Sequence, residues 1–324
     1  MAQGGGRDAV VNAFARRHRL QPREALPWLL ALAAYLAFPG YLPLGAQILA
    51  TILFVLSADL VLGYAGIVTL GHAAFFGTGA YTAGILAANG WGEPLSGLLA
   101  AALVAALVGF LSGLIILRTT GLALLMQTLV VATTLYEAAN KAGRWTGGDD
   151  GLSGMVVWPI FGLFRFDMFG RTAYTYCLVV LFLGWLLARQ IVHSPFGRSL
   201  TGARENAARM GAIGAPVARR RLVIYTISAA LAGASGALIA QTTSFVGLTS
   251  LSLERSGNAL IMLIIGGVGR LYGAFIGVPL FMIAQDRFAA IDPVYWYFWL
   301  GLLMVAVVVF ARGGVLGLIE RLWK

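Results

Sequence analysis

Three ionisable side chains lie in or next to long apolar runs, and they are the residues best able to do chemistry: Asp59, His72 and Glu137. A carboxylate among apolar groups is costly unless it is paired or hydrated, so Asp59 and Glu137 are candidates for contacting a polar solute. Glu137 ends its run, where it could equally meet water. His72 could carry a proton or contact a solute, and it could also be a hydrogen-bonded packing residue. Two carboxylates and an imidazole in apolar surroundings favour solute binding and proton transfer.

A protease pattern is present but incomplete. GASG at 233–236 and GLSG at 151–154 match the G-x-S-G around the serine of intramembrane rhomboid proteases. That serine needs a histidine base, normally on a later helix. All three histidines precede Ser235, and close helix packing explains GASG as well. We therefore expect no catalytic residue.

Phosphate-binding and metal patterns do not fit the sequence either. A P-loop requires G-x-x-x-x-G-K-[ST], and neither Lys141 nor Lys324, the two lysines of the chain, lies in that pattern. The single cysteine, Cys177, allows no intrachain disulfide and no thiol metal cluster. We therefore expect that the chain binds no metal or cofactor, and that any ATP is hydrolysed by a partner.

The elements that position these side chains are apolar segments. Of 324 residues, 59% are hydrophobic and 11% are charged, and the charges are clustered. A helix needs about 20 apolar residues to cross a bilayer. The sequence predicts an all-α, polytopic membrane protein with about ten segments, some short or broken: 27–44, 46–63, 66–88, 95–117, 120–137, 172–188, 222–243, 255–268, 272–285 and 293–311.

The distribution of charge predicts an orientation. The net charge of +10 could suggest nucleic acid, but the arginines fall on alternate loops, as the positive-inside rule requires. We therefore expect no nucleic-acid partner and cytoplasmic termini. The predicted division is a basic N-terminal tail, a transmembrane domain with an outward and an inward loop, and a C-terminal tail: 1–26, 27–311, 138–171, 189–221 and 312–324. Within this division 254–255 counts as outward.

Two glycine-rich runs, 63–81 and 266–277, are candidates for the translocation pathway. Dense glycine breaks helices, and broken helices at membrane depth are tolerated where they line a cavity. Close packing of small residues explains the first run equally well. With the ionisable residues and Asn258, which could line the path or bridge helices, the predicted pathway set is Asp59, Gly63, Gly66, Gly71, His72, Gly77, Gly79, Glu137, Asn258, Gly266, Gly267 and Gly269.

The inward loop is basic and contains a short predicted helix. Residues 189–221 hold seven arginines and one glutamate, and helical spacing runs through 199–213 between Pro195 and Pro216. Its core reads Glu205-Asn206-Ala207-Ala208-Arg209-Met210-Gly211. This order resembles the E-A-A-x-x-x-G loop with which permeases of ATP-binding-cassette importers dock into their ATPase, with Asn206 in place of the first alanine. The resemblance implies that the ATPase-coupling residues are Arg204, Glu205, Ala207, Ala208 and Gly211.

The whole chain resembles the LivM-type permeases of branched-chain amino acid importers. GYAGIVTLGHAAFFGTGAYTAG at 63–84 is similar to the most recognisable segment of that family, and TGGDDGLSGM and GGVGRLYGAFIG follow in family order. Ile67 and Asp59 depart from the usual glutamine and asparagine, which puts substrate identity in question. The resemblance implies a bacterial inner-membrane subunit that works with a second, related permease, two ATPase subunits and an extracytoplasmic substrate-binding protein.

Two alternatives remain at this point. Relatives of the family carry urea or short amides, so the substrate is open. A gradient-driven secondary transporter would use Asp59, His72 and Glu137 as coupling groups, and would leave the arginine-rich loop as a positive-inside anchor.

Overall fold

A computed structural model describes residues 22–167, 169–310 and 314–317. Within them lie ten helices of 12 residues or more and two shorter helices in the basic loop. In chain order they are α1 (Leu26–Ala37), α2 (Leu42–Asp59), α3 (His72–Ala88), α4 (Pro94–Ile116), α5 (Leu122–Lys141), α6 (Arg171–His193), α7 (Pro195–Glu205), α8 (Ala207–Ala212), α9 (Val217–Thr243), α10 (Leu253–Gly266), α11 (Gly273–Ile291) and α12 (Trp296–Phe310). The predicted tails, 1–26 and 312–324, lie almost wholly outside the described residues.

The all-helical, membrane-spanning prediction is confirmed. Six helical stretches are long and apolar enough to cross a bilayer: 39–64, 94–116, 122–141, 171–193, 217–243 and 273–291. Extended pairing in the described part of the chain is limited to two isolated bridges. The ten longer helices correspond to the ten predicted apolar segments, with shifted boundaries.

The shifts have local causes. The boundary between the first two helices lies at Pro39–Tyr41, a single 3-10 turn, instead of at residue 45. The third segment becomes helical only at His72, and residues 65–71 form an irregular stretch. The segment predicted at 272–285 extends to Ile291, because the helix continues through Asp286 and Arg287. At 19 residues this helix is long enough to cross a bilayer, although its predicted segment was among the short ones.

Helix α9 is the central element, packed against α2, α3 and α4. The crossings use small residues: a Cβ at Gly79 would overlap the backbone of Gly233, and one at Gly236 would overlap the Phe76 carbonyl. Ser235 is buried and donates to the Ala50 carbonyl at 2.7 Å. Close packing of backbones is how membrane helices associate without a hydrophobic driving force. The GASG run and Gly79 therefore take part in helix packing.

The bundle has two distinct ends. We call the end that carries residues 194–216 the basic end; the α2 terminus and the turn between α10 and α11 also lie there. The opposite end carries the long loop after α5, held by the Leu152–Val246 bridge and by a bond of 2.7 Å from the Trp158 amide to the Gly92 carbonyl.

Candidate functional site: a coupling junction and an intramembrane path

The α2 terminus carries the buried carboxylate. At Asp59 the α-helix gives way to a π-helical turn, Leu60–Tyr64, a deviation often found at functional sites. Asp59 is 1% exposed, and its Oδ1 accepts a hydrogen bond of 2.7 Å from the Gly269 amide. Because Gly269 lies between α10 and α11, this bond ties the end of one broken segment to the break in the other.

Gly63 packs against both Asp59 and Gly269, and no space is left there for a side chain. A Cβ at this position would overlap Asp59 Oδ1 and lie 2.6 Å from the Gly269 nitrogen and 2.7 Å from its Cα. Neither group can move aside without breaking the hydrogen bond between the Gly269 amide and Asp59 Oδ1. Glycine is therefore required at position 63 by close approach.

Arg204, the penultimate residue of α7, reaches the same place from the basic loop. Its guanidinium donates to the Gly63 carbonyl, and its Cγ would lie 2.7 Å from a Cβ on Gly66. Gly66 has φ +69° and Gly269 has φ +75°, values that favour glycine. We call Asp59, Gly63, Gly66, Arg204 and Gly269 the coupling junction. It joins four residues of the predicted pathway set to one predicted ATPase-coupling residue.

The basic loop stands away from the bundle beyond Arg204. Buried Leu200 and Ala203 anchor α7, whereas residues 204–209 and 211–214 are exposed. That exposed stretch includes Glu205, Ala207, Ala208 and Gly211, and a Cβ on Gly211 would meet nothing within 4 Å.

The single helix predicted over 199–213 is wrong. Asn206 interrupts it with extended backbone, and its Oδ1 accepts from the Arg209 amide at 2.9 Å, which caps α8. Asparagine is a strongly preferred N-cap residue, so its side chain both ends α7 and starts α8.

His72 is enclosed near the start of α3 and is not part of the junction. Its Nε2 lies 2.8 Å from Ser57 Oγ, its ring stacks on Phe54 at 5.4 Å, and it is 2% exposed. A Cβ on the preceding Gly71 would overlap the Thr128 carbonyl. In this structure His72 holds α2 and α3 together.

The other predicted pathway residues are dispersed. Gly77 packs under Leu251, Glu137 is exposed on α5, and Asn258 is half-buried on α10. Gly266 abuts the Gly273 carbonyl and Gly267 has φ +113°, so both shape the turn beside Gly269.

One charged residue was misplaced by the sequence analysis. The segment before α10 dips into the bundle, where the Ser250 carbonyl lies 3.0 Å from a Cβ on Gly77, and the Ala73 amide donates to Ser256 Oγ at 2.9 Å. Residues 254–255, expected in an outward loop, therefore lie in the first turn of α10. Arg255 lies inside, with its guanidinium carbon 4.4 Å from the centre of the Phe76 ring. The charge count along the chain could not show this, since it assumes that a charged dipeptide marks a loop.

A cavity of about 1400 Å³ lies between α1, α2, α6 and α11. Apolar side chains such as Trp28, Ile48 and Phe275 dominate its walls. None of the predicted pathway residues lines it. In the part of the chain that the structure describes, no three His, Cys, Asp or Glu side chains are grouped as metal ligands require.

Broken membrane helices joined at glycine contacts, together with an exposed loop linked to those contacts, define a transport protein of the permease class. The comparisons with known proteins place it more closely. Residues 42–308 match the family described as the permease component of branched-chain amino acid transport systems, and the chain belongs to that family. It is a multi-pass inner-membrane permease subunit of an ATP-binding-cassette importer, and a transport subunit rather than an enzyme.

The similar proteins carry two kinds of name. The high-affinity branched-chain amino acid permease LivM of Escherichia coli strain K12 is 27% identical over 319 residues, covering 89% of this chain and 73% of LivM. The autoinducer 2 import permease LsrC of Enterobacter sp. strain 638 is 30% identical over 293 residues, covering 85% of this chain and 80% of LsrC. No solved structure matches the chain.

Proposed function

We propose that this chain is one of two transmembrane subunits of an importer that moves branched-chain or related small amino acids across the bacterial inner membrane. The similarity to LivM over most of the chain supports this substrate class. The observation that carries the coupling mechanism is the hydrogen bond from Arg204 to the Gly63 carbonyl, since it connects the exposed basic loop to both glycine breaks.

The basic end faces the cytoplasm in this proposal. The arginines of 189–221 belong there under the positive-inside rule, and both chain termini then lie on the same side. The loop 138–171 at the opposite end meets the loaded binding protein.

The partners are a second, homologous permease, two ATPase subunits and an extracytoplasmic binding protein. This chain binds no cofactor, and the ATPases use the ATP.

Coupling proceeds through the junction. Closure of the ATPases displaces Glu205, Ala207, Ala208 and Gly211 on the exposed loop. Arg204 transmits that displacement to the Gly63 carbonyl, and Asp59 passes it to Gly269. The irregular stretch 65–71 and the turn 267–272 then move together. This movement opens the translocation pathway outward, so that it can take the substrate.

A second candidate substrate rests on the similarity to LsrC. A chain 30% identical to an autoinducer 2 import permease could carry autoinducer 2 in the same kind of importer. The ligand of the cognate binding protein distinguishes the two.

A mild-detergent purification of the tagged chain tests the proposal. We expect a second permease and a P-loop ATPase to be recovered, with ATPase activity raised by the loaded binding protein. Glu205→Ala should abolish uptake and leave membrane insertion intact. A chain that purifies alone and moves solute into liposomes without ATP would establish a gradient-driven carrier instead.

A further inference from the structure

The charge on Arg255 lies deep within the bundle. Phe76, which its guanidinium covers at 4.4 Å, is in the second turn of α3. The rest of α3, up to Ala88, rises about 18 Å further towards the opposite end, at 1.5 Å per residue. The bond of 2.9 Å between the Ala73 amide and Ser256 Oγ fixes α10 at this depth. An arginine at such depth faces the bundle interior or a water-filled cavity, and it marks a functional site by default.

Arg255 is held by an aromatic ring instead of a carboxylate. Phe76 is fully buried and is itself supported by Phe54, with ring centres 4.9 Å apart. The neighbouring carboxylate, Glu254, accepts a hydrogen bond of 2.8 Å from the Tyr297 hydroxyl. Among the described residues, the ion pair within 4 Å is the one between Arg189 and Glu24, and Arg255 forms none. The five donors of its guanidinium are thus positioned but not matched by a protein anion.

The Arg255 side chain is half-buried, so it is not sealed off within the bundle. Asn258 is half-buried one turn further along α10 and lies on the same side of the helix.

We propose that Arg255 binds the α-carboxylate of a zwitterionic amino acid passing through the bundle, and that Asn258 contributes a polar contact beside it. A guanidinium pairs with a carboxylate through two parallel hydrogen bonds, and a neutral urea or amide offers no such partner. The inference rests on the proposed importer function and names its substrate class: solutes that carry a carboxylate next to an apolar side chain. Arg255 is then a specificity residue within the membrane.

A charge-rescue experiment on the whole importer tests the role of Arg255. Replacing Cys177 by Ala removes the single cysteine, which is buried, so that a new cysteine is the only one in this chain. The complex, with partner permease, ATPases and binding protein, is reconstituted in liposomes, and uptake of labelled leucine is measured for Arg255→Cys. We expect uptake to fall about tenfold or more, the effect of losing one charge-assisted hydrogen bond. Modification with 2-aminoethyl methanethiosulfonate, which restores a positive charge, should recover a large part of it.

Three controls make the result specific. The negatively charged 2-sulfonatoethyl reagent should give no recovery. Arg118→Cys, at an exposed site of the basic end, should keep full uptake with either reagent. Phe76→Leu removes the ring, with its contacts to Arg255 and Phe54, but keeps the charge, so an assembled Phe76→Leu complex should keep uptake within about threefold of the parent.

The outcomes separate the two levels of the proposal. Unchanged uptake by Arg255→Cys, equal recovery with both reagents, or an equal loss in Phe76→Leu would overturn the carboxylate role and leave the importer function standing. If Arg255→Cys fails to assemble, Arg255→Lys is measured instead, and uptake of leucine no better than that of Arg255→Gln would also overturn it. A parent complex that hydrolyses ATP but imports no amino acid would refute the proposed function itself.

Discussion

Two charges within the helical bundle, buried Asp59 and half-buried Arg255, differ in what holds them. Asp59 is tied to backbone, with the Gly269 amide on one oxygen and Gly63 filling the space beside it. Arg255 lies on the face of Phe76 without a carboxylate within 4 Å among the described residues. The first charge therefore fastens two chain segments together, and the second is available to a ligand. A charge within a membrane bundle can therefore fasten chain segments or bind a ligand. The atoms that it contacts distinguish these two roles.

Gly63→Val should give the largest effect, since the added side chain overlaps both Asp59 Oδ1 and the Gly269 backbone. Overpacking against rigid backbone costs about 1–3 kcal/mol and often more, so we expect uptake to fall by roughly 100-fold. Transport by the reconstituted complex measures it. Gly301→Val is the matched control, because nothing lies within 4 Å of a Cβ there. Equal uptake by the two variants would disprove the tight junction.

Asp59→Leu should destabilise the protein more than Arg255→Gln does. It leaves the Gly269 amide buried without an acceptor, which costs about 2–3 kcal/mol in the free energy of unfolding. Asp59→Asn keeps an acceptor oxygen and should cost about 1 kcal/mol. Arg255→Gln loses a ring contact of about 1 kcal/mol or less. Denaturation in detergent compares all three, and the reverse order would remove the distinction between a fastening charge and a binding charge.

Arg204→Ala should uncouple the ATPases from the path without harming insertion. The Gly63 carbonyl loses its charged donor, and we expect stimulation of ATP hydrolysis by the loaded binding protein to fall about fivefold, as for a hydrogen bond worth about 1 kcal/mol. Arg219→Ala, at an exposed arginine on α9, is the control and should keep full stimulation. A similar loss in both variants would point to general electrostatics of the basic loop.

Asn206→Ala should give the smallest effect. It removes the N-cap of α8, worth about 1 kcal/mol, so stimulation should drop less than about fivefold. Asn206→Asp keeps the capping oxygen and should behave as the parent. The same stimulation assay measures both variants, and a loss in Asn206→Asp equal to that in Asn206→Ala would show that capping is not the role of this side chain.

The sequence predicted the helical architecture well because apolar length is a strong signal. All ten long helices were expected, and the glycine-rich run 266–277 predicted the helix break that lies between α10 and α11. The predicted helix boundaries were wrong where the sequence offered more than one glycine as a turn. Pro39-Gly40 ends α1 and Gly45 does not, although both glycines interrupt apolar runs.

The candidate site was only partly predictable. Asp59, Gly63, Gly66 and Gly269 stood out by type, yet nothing in their spacing showed that Arg204, about 140 residues later, meets them. Contacts across such separations are set by helix packing, which composition does not encode. Arg255 was missed for the opposite reason, because a charge at a segment end was assigned to a loop while the chain in fact dips inward before α10.

The most direct test of the account is a photocrosslink from the exposed loop. A benzoylphenylalanine at Gly211, where a Cβ meets nothing within 4 Å, should crosslink to the P-loop ATPase in the purified complex. The same group at exposed Trp91, at the opposite end, should not. Crosslinking that strengthens with ATP and weakens in Arg204→Ala is the result predicted here. Co-purifying ATPase that crosslinks from Trp91 and never from Gly211 would contradict it.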